Sequence, residues 1–322
     1  MTSAPQRDAR LPDDQVRSVA LTLARDEHGA AYVEFLLVFP PIFMMFLGMI
    51  QAAMMYAANL VVTHAATTAS RAAVVVLDDN ESAYGDEARN DLTGGGEGES
   101  PLDKVDGFLE WAGLGSAAAA PAAEAGSTSG ARMSAIRSAA SIPLLSVSPS
   151  MSQLVGSESV YEAIGGDPAE RGLTGAAVYN RTAVAVTFPT ERAGTSYKAQ
   201  FDGNEDVTVR VTYLFHCAVP LVNRIMCDDI VSLKTGVPLE AVRELATRTA
   251  SGGASPAEIA AMLERVRDGR ARLQRASPGV AELDGAESPW LAYLTAVTGA
   301  RFVILRAEAT MPNHGAAYSY VE

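Results

Sequence analysis

The chain is organised around the stretch His28-Gly29-Ala30-Ala31-Tyr32-Val33-Glu34-Phe35 and the apolar run that follows it. After Glu34, no Asp, Glu, Lys or Arg occurs until Arg71. A helix needs ~20 apolar residues to cross a bilayer, so this run predicts a membrane-spanning helix. Pro40-Pro41 lies inside it and predicts a kink, because proline removes a backbone donor and crowds the preceding turn.

Glu34 is the ionisable group at the threshold of the apolar run. Such a group costs ~3 kcal/mol near the bilayer centre and less near its edge. Taken alone, it is explained as a helix-start acid that favours the N-terminal dipole and lies among the headgroups. Its neighbours in the sequence favour a second interpretation.

Those neighbours are the polar, charged leader that ends at Arg25-Asp26-Glu27-His28, the small pair Gly29-Ala30, and Glu34-Phe35. The order of these residues, with Pro40-Pro41 shortly after, resembles the start of the TadE-like pseudopilins of tight-adherence (Tad/Flp) pilus systems. An Ala-rich helical run after the membrane segment, ending near residue 77, is in keeping with that family.

The resemblance implies a processing and assembly site at the N-terminus. A prepilin peptidase would cut after Gly29, the mature chain would begin at Ala30, and Glu34 and Phe35 would take part in assembly. The partners implied are that peptidase, other pilin or pseudopilin subunits, and the inner-membrane pilus assembly platform. The function implied is that of a minor pseudopilin, a structural subunit of a pilus or secretion apparatus with a role in adhesion or secretion.

The sequence predicts four segments. Residues 1–29 form a cytoplasmic leader, and residues 30–77 form a hydrophobic helix that includes the membrane span and an extension beyond it. Residues 78–130 form a linker rich in Gly, Ala and Ser, and residues 131–322 form an extracytoplasmic α+β domain. More arginine precedes the apolar helix closely than follows it, which favours an N-terminus in the cytoplasm. We expect the helix to cross the inner membrane once.

Alternating apolar residues predict three strands in the last segment, at residues 183–188, 207–215 and 302–309. We expect a small antiparallel sheet, with Asp202-Gly203 forming the hairpin turn between the first two strands. Between the second and third strands, Ser255-Pro256-Ala257-Glu258 is a capping box that predicts the start of an amphipathic helix.

The two cysteines, Cys217 and Cys227, predict one disulfide if the domain faces an oxidising compartment. Closing so short a loop is worth ~3 kcal/mol by the chain-entropy relation. The alternative is a metal site, since His216 and Asp228 lie beside the cysteines. Zinc sites normally carry a close-spaced pair of ligands on each arm, whereas here each arm has one cysteine, so we predict no metal.

The formal net charge is −13, which argues against a nucleic-acid partner. No nucleotide-binding loop, dinucleotide fingerprint or hydrolase motif is present, so we expect no cofactor and no enzymatic activity. An alternative function stays open at this stage: a single-pass, membrane-tethered binding module that is never cleaved. Cleavage of the leader distinguishes the two hypotheses.

Overall fold

The structure is a computed structural model of the 322-residue chain. It describes residues 27–93, 130–150, 153, 173, 175–177, 179–180, 183–194, 196–276 and 299–313, without the side chains of residues 27–31, 234, 270 and 273–276. The chain divides into two compact units, residues 1–49 and 50–322. Most of the predicted leader and residues 94–129 of the predicted linker lie outside the described residues.

The first element is helix α1, Glu27–Asp78, which runs without a break through Pro40 and Pro41. Its residues 32–49, in the first unit, are all exposed or half-buried. From residue 50 onward the same helix belongs to the second unit, and there it buries one stripe of side chains. The stripe recurs at helical spacing, and half of its residues are alanine: Gln51, Ala58, Val62, Ala65, Ala66, Ala69, Ser70, Ala73, Val76 and Leu77.

The second unit contains the predicted antiparallel sheet. Strands β1 (Val184–Thr187), β2 (Asp206–His216) and β3 (Phe302–Pro312) are arranged in the order β1-β2-β3. The β2–β3 ladder runs its full length, from Asp206 opposite Pro312 to His216 opposite Phe302. The predicted α+β class is therefore confirmed: the apolar side chains of β2 join the alanine stripe of α1 in one core.

Helices complete the second unit. After a short 3₁₀ helix, Glu81–Tyr84, come α2 (Ala131–Leu144), α3 (Asn223–Met226), α4 (Ile230–Thr235), α5 (Leu239–Ala250) and α6 (Pro256–Ala276). α2 packs against β1, and α6 packs against α4. Helix α2 also touches α1, where the Thr68 hydroxyl donates to the Ala139 carbonyl at 3.1 Å.

The capping box predicted at the start of α6 is confirmed. The Ser255 backbone N–H donates to Glu258 Oε2 at 2.8 Å, and the Glu258 N–H donates to Ser255 Oγ at 3.3 Å. These two reciprocal bonds satisfy donors that a helix start leaves without intrahelical partners. A proline at the first helical position fits, because its missing N–H costs nothing there.

The Asp202-Gly203 turn has a different role from the predicted hairpin. The chain does turn here, with a hydrogen bond from Glu205 N–H to the Asp202 carbonyl at 3.3 Å, and β2 begins directly afterwards. However, β1 ends at Thr187 and its partner in the ladder is Arg210. A separate excursion, in which Pro189 bridges to Tyr197, intervenes, so the connection is longer than a tight hairpin.

Of the segment predicted as linker, residues 79–93 pack with the second unit. Leu92 is buried in the core, and its N–H donates to the Ala199 carbonyl at 2.8 Å. Asn90 reaches two elements: its side-chain amide donates to Asp78 Oδ1 at 2.8 Å and its carbonyl accepts from Phe201. This part of the chain therefore ties the end of α1 to the approach to β2.

Candidate functional site

Over residues 32–50 the surface of α1 is apolar apart from Glu34, and most of it is exposed. Most of its large apolar side chains are exposed, by 38% at Ile50 to 72% at Tyr32, whereas Met44 and Leu47 are half-buried. Residues 32–50 would span ~28 Å as a helix, close to the ~30 Å of a bilayer core. Among the described residues, α1 is the one helix long and apolar enough to cross a membrane.

Phe35 begins an aromatic row on this surface. The Phe35 and Phe39 rings stack with centroids 5.0 Å apart, and Phe39 and Phe43 stack at 5.4 Å. The spacing of four residues places all three on one face of the helix. Phe35 is therefore the first member of a ridge of exposed rings.

Glu34 lies exposed beside that ridge. Within the described part of the chain, no side chain pairs with its carboxylate. Gly29 and Ala30 lie in the first turns of α1. Glu34 is therefore an exposed carboxylate near the predicted cleavage junction, and the rest of the helix surface over residues 32–50 is apolar.

These features agree with the comparison against known families. Residues 29–71 match the family model described as TadE-like protein. The match covers Gly29, Ala30, Glu34 and Phe35 and continues into the buried part of α1, so the resemblance expected from the sequence is confirmed over this TadE-like segment. Neither a curated protein nor a solved structure matches the chain significantly.

The predicted disulfide between Cys217 and Cys227 is formed. It links the end of β2 to the start of the segment that precedes α4. Both cysteines are buried, and within the described residues no group of His, Cys, Asp and Glu side chains is arranged to hold a metal ion. His216 instead packs against the Phe302 ring, with centroids 5.5 Å apart.

The residues enclosed by the disulfide form a compact loop, which we call the disulfide loop (residues 218–226). Both of its ends are held against the start of β3. Cys217 N–H donates to the Arg301 carbonyl at 2.9 Å, and Arg301 Nη1 donates to the Cys227 carbonyl at 3.3 Å. Asp228 and Phe302 then exchange two backbone hydrogen bonds, at 3.0 and 2.7 Å.

Gln51 was missed by the sequence analysis, which treated it as part of the apolar run. It is fully buried, and its Oε1 accepts from the Val219 N–H of the disulfide loop at 3.2 Å. Its Nε2 is also buried and has no acceptor among the described residues. A buried amide in an otherwise apolar helix was the available signal, because such a group needs a hydrogen-bonding partner.

Arg132 was also missed. Its fully buried guanidinium donates to the carbonyls of Val76 and Asp79 at the end of α1, and to that of Glu87. It lies over the Tyr84 ring, 4.7 Å from the centroid. A cation bonded to the last carbonyls of a helix satisfies acceptors that lack intrahelical donors and complements the dipole.

A buried ion pair joins the two long strands. Arg210 Nε donates to Glu308 Oε1 at 2.6 Å, and the two residues are direct partners in the β2–β3 ladder. The Arg210 side chain is fully buried, whereas that of Glu308 is 20% exposed. The alternation along β2 places Arg210 on the face of the sheet opposite the apolar one. The ion pair therefore links β2 to β3 on that second face.

Three ring groups near the sheet, the buried Tyr179 and Tyr213 and the half-buried His216, are held in their neutral forms. Burial lowers the pKa of His216 to about 4. Burial, with Tyr213 as a second cause, raises the pKa of Tyr179, whose hydroxyl donates to the Leu214 carbonyl. Burial also raises the pKa of Tyr213, above its ordinary range.

Proposed function

We propose that the chain is a minor pseudopilin of a Tad/Flp-type system, an assembly subunit rather than an enzyme. The observation that carries the proposal is Glu34: an exposed carboxylate on an apolar, TadE-like helix, five residues after Gly29. An ionisable group facing lipid is costly, and the cost falls when a neighbouring subunit supplies an opposite charge.

Cleavage after Gly29 supplies such a charge. The new α-amino group at Ala30 is largely cationic at neutral pH, and Glu34 lies four residues further along the helix. Opposite charges at this spacing pair within one chain or between neighbouring chains of a fibre. The prepilin peptidase therefore creates the group to which Glu34 of a neighbouring subunit binds.

The exposed ridge of Phe35, Phe39 and Phe43 supports the same proposal. In a bundle of pilin helices, stacked rings would pack between neighbours and exclude lipid from the charged groups. The orientation that fits has the N-terminus in the cytoplasm and residues 131–322 outside the inner membrane, where the Cys217–Cys227 disulfide persists. The assembly platform and the other pilin subunits are the partners in this proposal.

The decisive experiment compares Glu34→Gln with Glu34→Asp in the full chain. We expect both variants to be inserted and to begin at Ala30 by N-terminal sequencing. Glu34→Gln should lose co-purification with the other pilin subunits, whereas Glu34→Asp, which keeps the charge, should retain it. Gly29→Leu should keep the leader, because the peptidase site needs a small residue there.

Two outcomes would refute this function. A mature protein that still starts near Met1 favours the uncleaved, membrane-tethered binding module. If Glu34→Gln assembles as the parent does, the acid serves only as a helix-start residue in the headgroup region.

A further inference from the structure

The disulfide loop carries an exposed apolar cluster. Leu221 is 55% exposed, Ile225 is 75% exposed and Met226 is 39% exposed. Arg224, between them, is also exposed, whereas Val219 and Val222 are buried and anchor the loop. The loop therefore presents large apolar side chains and one cation outward from a fixed base.

The loop is rigid for a surface segment. Besides the disulfide, its backbone is bonded internally: Asn223, Ile225 and Met226 N–H groups donate to carbonyls of Val219 or Val222 at 2.9 to 3.1 Å. Leu221 has a φ of 70°, in the left-handed region, which costs a residue with a side chain ~1 kcal/mol or more. Because the Leu221 side chain is mostly exposed, its burial does not offset this conformational cost.

The position of the loop follows from Gln51. Gln51 is the first buried residue of α1, directly after the exposed apolar run 32–50, and its side chain holds the loop at Val219. A loop bonded to this residue lies within a few ångströms of the end of the exposed apolar run.

A second set of contacts fixes which end of the domain this is. At the other end of α1, Asp78 binds Asn90, which also contacts Asn313 just after β3. The helix from residue 51 to 78 spans ~40 Å, and the chain from Asp206 to Val219 spans ~43 Å. Helix and strand thus run antiparallel over matching lengths, with the disulfide loop at the Gln51 end and the Asp202 turn at the far end.

We propose that the disulfide loop inserts into the membrane interface beside the helix. Leu221, Ile225 and Met226 would enter the boundary between headgroups and acyl chains, and Arg224 would bind headgroup oxygens. Apolar side chains flanked by a cation suit that boundary, which is ~5–10 Å deep. The inference rests on the proposed membrane span of α1. It adds a second membrane contact to that of α1.

The test uses the full chain in phosphatidylcholine vesicles whose lipids carry bromine near the top of the acyl chain. With Trp111 and Trp290 replaced by phenylalanine, single tryptophans report on three places. Ile225→Trp probes the loop, Phe46→Trp probes the span, and Asp202→Trp probes the far end of the sheet, ~33 Å or more from the loop.

We expect the Ile225→Trp emission to shift to shorter wavelength in vesicles and to lose most of its intensity to bromine. Phe46→Trp should be quenched, whereas Asp202→Trp should keep its intensity. Met226→Trp serves as a second reporter if the first variant fails to form the disulfide, as judged by thiol labelling.

The outcomes separate the two proposals. If Phe46→Trp is quenched and both loop reporters are not, the span stands and the loop inference is overturned; protection of the loop only on adding other pilin subunits would identify a protein interface instead. If Phe46→Trp is not quenched, the membrane span fails and the loop inference fails with it.

Discussion

Replacing Arg132 by alanine should destabilise the second unit strongly, because one guanidinium satisfies the buried carbonyls of Val76 and Asp79 at the end of α1 and the half-buried carbonyl of Glu87. A hydrogen bond to a charged group is worth ~1.5–3 kcal/mol, and three such bonds would exceed ~4 kcal/mol if independent. Burying the guanidinium costs several kcal/mol, which offsets part of this. We expect a net loss of about 3 kcal/mol on Arg132→Ala.

For the second unit, residues 50–322, that loss corresponds to a Tm lower by ~5 °C. The assay is thermal unfolding of the detergent-solubilised chain followed by circular dichroism. Arg132→Lys should recover less than half of the loss, since an ammonium lacks the planar fork that reaches separate carbonyls. Arg71→Ala, an exposed arginine on the same helix, is the matched control and should change stability by ~0.5 kcal/mol or less. A Tm within ~2 °C of the parent for Arg132→Ala would refute the reasoning.

Two further predictions use the same assay. Burial lowers the pKa of His216 to about 4 in the folded state, whereas the unfolded side chain binds a proton near pH 6.5. The free energy of unfolding should therefore be highest above about pH 6.5. It should fall by up to ~3 kcal/mol as the pH drops to 4, because the unfolded state binds the proton more readily. His216→Phe should lessen that fall, and an unchanged pH profile would contradict the assignment. Glu308→Gln removes the carboxylate that pairs with the buried Arg210 and should lower the free energy of unfolding by about 3 kcal/mol. Arg248→Ala removes an exposed ion pair and should lower it by less than ~1 kcal/mol. Equal effects of the two substitutions would contradict the role of burial.

The secondary structure was predictable because its signals are local. The alternation along 207–215 identified β2, the Ser255–Glu258 box located the start of α6, and two cysteines allowed one disulfide. The TadE-like segment was predictable for the same reason: the Gly29-Ala30 junction, Glu34 and the apolar run are adjacent in sequence.

The long-range polar contacts were not predictable from a single sequence. Arg210 occupies a polar position of an alternating strand, which usually indicates a solvent-facing side chain, but β2 is the central strand and both of its faces are covered. Its partner Glu308 is 98 residues away. Apolarity likewise does not distinguish the exposed Met49 from the buried Val62, because both are large apolar side chains of the same apolar helix.

The alanine stripe of α1 has a mechanical consequence. Methyl groups allow close approach but form shallow ridges, and a slip of one turn, ~5.4 Å, would place Ala65 where Ala69 was and Ala69 where Ala73 was. Packing alone therefore sets the axial position of the helix weakly. The end contacts set it, through Gln51 at one end and Arg132 at the other. A pull along the helix axis is resisted at those two points rather than evenly along the buried length.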